Sequence, residues 1–182
     1  MILKKIAESV TKPLSFNRLS NILKSAGAVL GKQTVINYVG YMMDSYMLFT
    51  LQNYAAKLVE KETSPKYYFM DTGLLGLMLM DCSSAQLENL VAIELIRRYG
   101  RENVFYFEKN VEIDFYVPEE KLAIQVSLQV LDQIDTRERE IGAFVKLKNF
   151  IGDATCLLIT NSEEEELDYE GVHVSVVPVW KW

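Results

Sequence analysis

Two strand-like runs joined by a tight turn, EIDFYV-PEEK-LAIQVS over residues 112–127, decide the fold that this sequence predicts. Both runs are rich in β-branched, aromatic and other apolar side chains, which favour the pleated backbone of a strand. Pro118 opens the connection, and because proline has no backbone N–H it interrupts the hydrogen bonding between strands. We therefore expect two neighbouring strands, with Asp114 on the first and the pair Gln125 and Ser127 at the end of the second.

The segments on either side of this pair alternate between helix and strand. A helix is predicted over Ala85–Tyr99, and the acidic run Glu163–Glu166 is predicted to be a solvated turn. The other elements expected are strands at Val104–Phe107, Ala154–Thr160 and Val172–Val177, and a helix from about Thr136 to Asn149. A meander, a crossover helix and a returning strand predict an α/β (α+β) core with a mixed sheet and flanking helices.

The polar residues of these elements follow the order of a metal-dependent nuclease core. Such a core brings together an acid from a helix, here Glu88, an Asp from a strand, here Asp114 preceded by Glu112, and an acid-x-Lys pair from the next strand. The acids hold Mg²⁺, and the lysine stabilises the charge that develops on the phosphate. Here the last pair is Gln125-Val126-Ser127, so an amide that coordinates magnesium poorly and a neutral hydroxyl replace the acid and the lysine. We expect a degenerate cleft of these five residues, with no catalytic residue and no bound metal.

The first 72 residues predict a winged helix-turn-helix. Ser15 is a candidate N-cap for a first helix, a second helix is expected from Lys32 to about Tyr46, and two strand-like runs follow, joined by the polar segment EKETSP. The second helix is expected to bury Val35, Val39, Met42, Met43 and Tyr46. A winged helix presents polar residues at the N-terminus of its second helix to a DNA groove. The candidate nucleic-acid contacts are Lys32, Gln33, Thr34 and Asn37, with Arg18 and Lys24 reaching phosphates. The alternative is a winged helix that only packs against a neighbouring domain or protein.

The charge distribution supports a division into two modules. Residues 1–60 hold seven Lys/Arg against three Asp/Glu, whereas residues 61–182 hold twelve against twenty-two. A basic front and an acidic back indicate two modules with different partners. We place the boundary between residues 72 and 73, giving domains 1–72 and 73–182.

Several classes of protein are excluded by what the sequence lacks. The longest apolar run, Gly73–Met80, is too short to span a bilayer, and no secretory signal is visible at the N-terminus. The segment Gly27–Thr34 resembles a phosphate loop, but its glycines are one residue too close and Gln33 stands where a Ser or Thr must bind magnesium. We expect no membrane contact and no nucleotide site in this chain.

The cysteine and histidine content points to the cytoplasm. Cys82 and Cys156 are far apart in sequence and form no CxxC motif, so they are expected to be reduced, buried and inert. With a single histidine as well, a structural zinc site is excluded.

Several of these segments together resemble a known family, the C-terminal region of predicted bacterial and archaeal AAA-type ATPases. The segments that carry the resemblance are YYFMDTGLLGLML, ENLVAIEL, VFYFEKNVEIDFYV, IQVS, TREREIGAF, CLLIT and VPVWKW. Members have an ATPase domain, then a winged helix, then a domain of unknown function similar to the PD-(D/E)xK, or restriction-endonuclease-like, nuclease fold. The family's usual strand motif is similar to Ile-Glu-Val-Lys, and this chain has Ile124-Gln125-Val126-Ser127 in its place.

The resemblance implies a non-catalytic region that recognises DNA or a protein partner, including its own ATPase domain. ATP and Mg²⁺ are then expected only in an N-terminal ATPase domain that this chain lacks, and no cofactor is expected here. One alternative is a metal-dependent DNA nuclease whose lysine is supplied by Lys109 or Lys121. Another is a module that binds only protein.

Overall fold

The chain divides into two compact units, Met1–Ile93 and Glu94–Trp182. A computed structural model describes residues 1–131 and 134–182, apart from the side chains at positions 59, 60, 62 and 134. The described part has a mixed α/β fold with eight strands. This division into compact units does not test the predicted domain boundary between residues 72 and 73, which stays a prediction. Every helix within the described ranges is too short or too polar to cross a membrane.

The first unit follows the predicted order of helix, turn, helix and antiparallel strand pair. Its β1 and β2 pair antiparallel, with Leu48 opposite Phe69. The segment between these strands was expected to be a polar connection, but it forms a short helix. The elements are α1 Ile2–Ala7, α2 Phe16–Ser25, α3 Lys32–Asp44, β1 Leu48–Asn53, α4 Leu58–Thr63, β2 Lys66–Phe69, α5 Gly73–Met78 and α6 Ser83–Tyr99, the last of which continues into the second unit.

The ends of α2 show why the predicted helix-turn-helix forms. The Ser15 side chain accepts a hydrogen bond from the backbone N–H of Arg18 at 3.2 Å, which confirms the predicted N-cap. Gly27 then turns the chain with φ of +83°, and the next N–H donates back to the Leu23 carbonyl. Because glycine has no Cβ, this left-handed conformation costs little, and the chain can enter α3 after a short turn.

The second helix buries less than predicted at its C-terminus. Val35 and Val39 lie in the core, and Met42 and Met43 are half-buried. Tyr46 was expected in the core, but 80% of it is exposed. The helix ends just before Tyr46, whose φ of +56° reverses the chain and turns its side chain out of the helical stripe.

The second unit contains a six-stranded mixed sheet of order β3-β4-β5-β6-β8-β7. The first three strands form the predicted antiparallel meander, β6 and β8 run parallel to β5, and β7 is antiparallel to β8. Its elements are a 3₁₀ turn Arg101–Asn103, then β3 Phe105–Glu108, β4 Glu112–Val117, β5 Leu122–Val126, α7 Ile134–Ile151, β6 Thr155–Thr160, β7 Glu165–Tyr169 and β8 Val172–Pro178.

The long helix α7 covers one face of this sheet. Ile141, Phe144 and Leu147 recur at helical spacing and are almost fully buried. The predicted turn Glu163–Glu166 is wrong in its second half, since Glu165 and Glu166 begin the edge strand β7. Only Leu167 of that strand is buried, and its acidic side chains face the solvent. The strand therefore lacks the alternation of apolar and polar residues by which strands are predicted.

Candidate functional sites

The strands β4 and β5 are joined at one end by side chains rather than by their backbones. Their regular pairing extends to Phe115 opposite Ile124. Beyond it, the Gln125 Oε1 accepts from the Asp114 backbone N–H at 2.8 Å, and the Gln125 Nε2 donates to the Glu112 carbonyl at 3.3 Å. The Asp114 Oδ2 in turn accepts from the Val126 backbone N–H at 2.9 Å. We call the side chains of Asp114 and Gln125 the β4–β5 clamp.

The chemistry of the clamp requires an amide at position 125. A glutamine side chain carries both an acceptor and a donor, so it can accept a hydrogen bond from a backbone N–H and donate one to a backbone carbonyl. A carboxylate is an acceptor only, so it could not donate to the Glu112 carbonyl. Its negative charge would also lie close to that carbonyl oxygen. The residue that departs from the nuclease pattern is therefore well suited to the bonds that it makes here.

Ser127 makes local contacts of the same kind. Its backbone N–H donates to the Ile159 carbonyl at 3.0 Å and extends the contact between β5 and β6. Its hydroxyl donates to the Gln129 carbonyl at 3.2 Å. The hydroxyl is thus used within its own loop, and it brings no positive charge to this end of the sheet.

The helix α7 adds two residues to this region that the sequence analysis missed. The Arg139 Nη2 and Nε donate to the Glu140 Oε1 at 2.6 and 3.1 Å. About 72% of the Arg139 side chain is exposed, against 10% of the Glu140 side chain. Glu140 lies four residues before the buried Phe144, so extending the apolar stripe of α7 by one turn would have predicted its burial.

The electrostatics of Glu140 link α7 to the acids of β4. Burial, above all, raises the pKa of the Glu140 carboxyl, the hydrogen bond from Arg139 acts against this, and the charges of Asp114 and Glu112 raise the pKa further. The pKa of Arg139 is raised, mainly by its hydrogen bond to Glu140 and to a smaller extent by Asp114 and Glu112. Glu112, Asp114 and Glu140, which we call the acid cluster, therefore share one electrostatic environment with Arg139.

Hydrogen bonds occupy several of the oxygens near the acid cluster that a magnesium ion would need. Mg²⁺ requires near-octahedral oxygen ligands at short distance. Here the Asp114 Oδ2 is bonded to the backbone, both ends of the Gln125 amide are bonded to the backbone, and the Glu140 Oε1 is bonded to Arg139. Across the ranges that the structure describes, no group of three or more His, Cys, Asp or Glu side chains is arranged to hold a metal.

Glu88, the helix acid of the predicted cleft, takes part in a buried network of the first unit. The Tyr68 hydroxyl donates to the Glu88 Oε1 at 2.7 Å, and the Lys66 Nζ lies 3.9 Å from the same atom. All three residues are buried. A buried carboxylate is tolerated only when it is paired and hydrogen-bonded, so Tyr68 and Lys66 explain how Glu88 is accommodated. Its predicted convergence with Asp114 on one cleft stays a prediction.

The neighbouring Asn89 ties α6 to β2. Its Nδ2 donates to the Phe69 carbonyl at 2.8 Å, and its Oδ1 accepts from the Phe69 N–H at 2.7 Å. One buried amide therefore satisfies two backbone groups of the strand, as a neighbouring strand would.

The predicted nucleic-acid contacts lie on the surface of α2 and α3. Thr34 is half-buried, and the other five are exposed: Arg18, Lys24, Lys32, Gln33 and Asn37. Within α3, the Gln33 Nε2 donates to the Asn37 Oδ1 at 3.0 Å. These side chains are accessible to a partner, and Lys32 is the cation that begins the helix.

The same helix exposes two tyrosines that the sequence analysis did not single out. Tyr38 and Tyr41 are 46% and 63% exposed, and their rings meet edge to face with centroids 6.4 Å apart. Both lie away from the buried stripe of Val35 and Val39, which is the signal that would have predicted an exposed aromatic pair.

A cavity of about 280 Å³ lies in the second unit, between the end of α7 and the first residues of β6 and β8. Two polar side chains around it bond to their neighbours. Both ring nitrogens of His173 lie 3.0 Å from a carboxylate oxygen, Nδ1 from Asp168 and Nε2 from Glu166, and the Ser175 hydroxyl donates to Glu166. Burial raises the pKa of the Cys156 thiol to about 11, so it is protonated and unreactive at neutral pH. This agrees with the predicted inert cysteine, whereas Cys82 is only half-buried.

Comparison with known proteins gives relatives of unknown function. The family model of a domain of unknown function (DUF8612) matches residues 1–85. The uncharacterized protein MJ1544 of the archaeon Methanocaldococcus jannaschii is 31% identical over 179 residues, which span 93% of this chain and 40% of the relative. The chain is thus a distant homologue of this protein and spans less than half of its length. No solved structure matches the chain.

Proposed function

We propose that the chain is a non-catalytic interaction region of an AAA-type ATPase. In this proposal the winged helix binds DNA or a protein partner, and the degenerate restriction-endonuclease-like domain no longer cuts. The resemblance of several motifs in order supports the family. The archaeal relative, of which the chain spans 40%, has the length for a further domain such as an ATPase. A cytoplasmic location and an ATP site outside this chain belong to the same proposal.

The observation that carries the non-catalytic part is the β4–β5 clamp. Nuclease chemistry needs carboxylates that are available to a metal and a cation beside the scissile phosphate. Here Asp114 and Gln125 are bonded to the backbones of the opposite strands, and Ser127 is neutral. The side chains at the required positions thus stabilise the sheet end instead.

The positions of the two candidate lysines weigh against the nuclease alternative. Lys121 lies in the turn before β5, four residues from Gln125, which in a strand is about 13 Å along the sheet. The Lys109 Nζ lies over the Phe150 ring, 5.3 Å from its centroid. Lys109 thus has an aromatic partner, and Lys121 lies at the opposite end of β5 from Gln125.

DNA binding would use the exposed polar residues at the start of α3. Lys32, Gln33 and Asn37 would face the groove, with Arg18 and Lys24 on phosphates. Because few cations contribute, binding should be weak and steeply dependent on salt.

The exposed tyrosine pair favours protein as a second candidate partner. Tyrosine is enriched in protein interfaces, where its ring supplies contact area with little loss of side-chain entropy. Tyr38 and Tyr41 give α3 such a surface.

A fluorescence anisotropy titration with labelled duplex DNA, repeated at rising salt, distinguishes the two partners. If DNA is the partner, we expect saturable binding at low salt that Lys32→Glu weakens. The control is Lys4→Glu, which makes the same change of charge at an exposed position of α1 and should leave binding nearly unchanged. No binding at low salt, or binding that Lys32→Glu leaves unchanged, would favour the protein partner. In that case Tyr41→Ala should weaken binding to the partner.

A further inference from the structure

The first two turns of α3 expose two amide side chains that are bonded to each other. Gln33 and Asn37 are four residues apart, so they are neighbours on the helix surface, and the Gln33 Nε2 donates to the Asn37 Oδ1 at 3.0 Å. Both side chains are exposed, on the side of the helix away from the buried Val35 and Val39. We call Gln33 and Asn37 the amide pair.

The bond within the amide pair leaves one acceptor and one donor side by side. The Gln33 Oε1 and the Asn37 Nδ2 take no part in it. The same set remains if the two amides exchange roles, because each carries both kinds of group. Adenine presents the complementary set in the major groove, the N7 acceptor and the N6 amino donor, whereas guanine presents two acceptors. The amide pair therefore matches adenine better than guanine.

We infer that the amide pair reads an A·T base pair through the major-groove edge of its adenine. This inference rests on the proposed binding of DNA by the winged helix, and it gives that binding a sequence preference. The charges along α3 favour contact through its first turns. Lys32 precedes the amide pair, whereas the exposed Asp44, on the same side of the last turn, would repel phosphates.

Selection from a pool of duplexes with a randomised segment, followed by fluorescence anisotropy on the selected duplex, tests this base contact. At low salt the unchanged chain should select A·T at one position or more. Replacing that base pair by G·C should weaken binding by roughly fivefold to 150-fold, the discrimination that one good bidentate contact provides. Asn37→Ala should remove this difference and change the binding of unrelated duplexes little, because contacts to phosphate come from other residues.

Two further variants separate base reading from a change of charge. Asn37→Asp has nearly the same size and keeps the acceptor, but it loses the donor, so the preference for A·T should disappear. Asn149→Asp makes the same change at an exposed position of α7 and should keep the preference. If the amide pair only stabilised α3, Asn37→Ala would lower the unfolding midpoint slightly and leave the sequence preference as it is.

Two results would overturn the inference, and they are distinguishable. One is DNA binding with no preference for A·T at any position, or with a preference that Asn37→Ala leaves intact. The proposed DNA contact would then stand without the base reading. The other is a failure to bind any duplex at low salt, which would remove the proposed DNA contact together with the inference.

Discussion

The side chain of Gln125 joins the ends of β4 and β5 through two hydrogen bonds. Gln125→Glu keeps the acceptor for the Asp114 N–H but loses the donor to the Glu112 carbonyl, and it adds a negative charge next to Asp114. We expect this change to lower the free energy of unfolding at neutral pH by about 1–3 kcal/mol. Urea denaturation of the variant and of Gln129→Glu, the same change at an exposed position, measures the difference. Equal stability of the two variants would contradict the structural role of the amide.

Glu140 predicts a specific dependence of stability on pH. Its raised pKa means that the folded protein binds this proton more tightly than the unfolded chain does. Its contribution to stability is therefore complete below the ordinary glutamate pKa, and it is lost as the pH rises through the raised pKa of the folded state. Glu140→Gln should consequently gain stability relative to the unchanged protein as the pH rises from acidic to neutral.

Urea denaturation at a series of pH values checks this prediction. The control is Glu138→Gln, an exposed position on the same helix. If the profiles of Glu140→Gln and of the unchanged protein run parallel across the acidic range, burial does not perturb Glu140 as the structure indicates.

The attachment of α6 to β2 depends on one amide. Asn89→Ala would leave the Phe69 N–H and carbonyl buried without their partner. Since each such group costs about 1–3 kcal/mol, we expect a loss of roughly 2–6 kcal/mol in the free energy of unfolding. Asn37→Ala, at an exposed position of α3, should change it by less than about 0.5 kcal/mol. A loss for Asn89→Ala no larger than that of the control would show that this contact is dispensable.

The helices and strands with strong apolar patterns could be predicted from the sequence. The strand β4 has the predicted bounds Glu112–Val117, and α3 begins at the predicted Lys32. The edge strand β7 could not be predicted, because a strand with one buried side chain has no alternation of apolar and polar residues. The short helix α4 was missed because its polar sequence is equally typical of a loop.

The candidate site was predictable only where neighbouring strands define it. Adjacent strands in a meander place Asp114 near Gln125, and the Asp114 backbone N–H donates to the Gln125 Oε1. Which groups bond to which cannot be predicted from sequence, because a side chain and a backbone group compete for the same partner and spacing does not decide between them. Arg139 and Glu140 could not be predicted as part of the site, because it is the packing of α7 that brings them near residues far away in the chain.

For the molecule as a whole, the sequence predicts two modules of opposite charge, and the predicted order of elements agrees with the structure apart from α4 and β7. The family model that matches residues 1–85 covers most of the first unit.

The most direct test of the non-catalytic role is a cleavage assay. Single- and double-stranded DNA are incubated with the chain in Mg²⁺ or Mn²⁺, with Asp114→Ala in parallel. Because Asp114 and Gln125 are bonded to the backbone and Ser127 brings no charge, both proteins should leave the DNA uncut. Cleavage by the unchanged chain that Asp114→Ala abolishes would contradict this role and identify the protein as a nuclease.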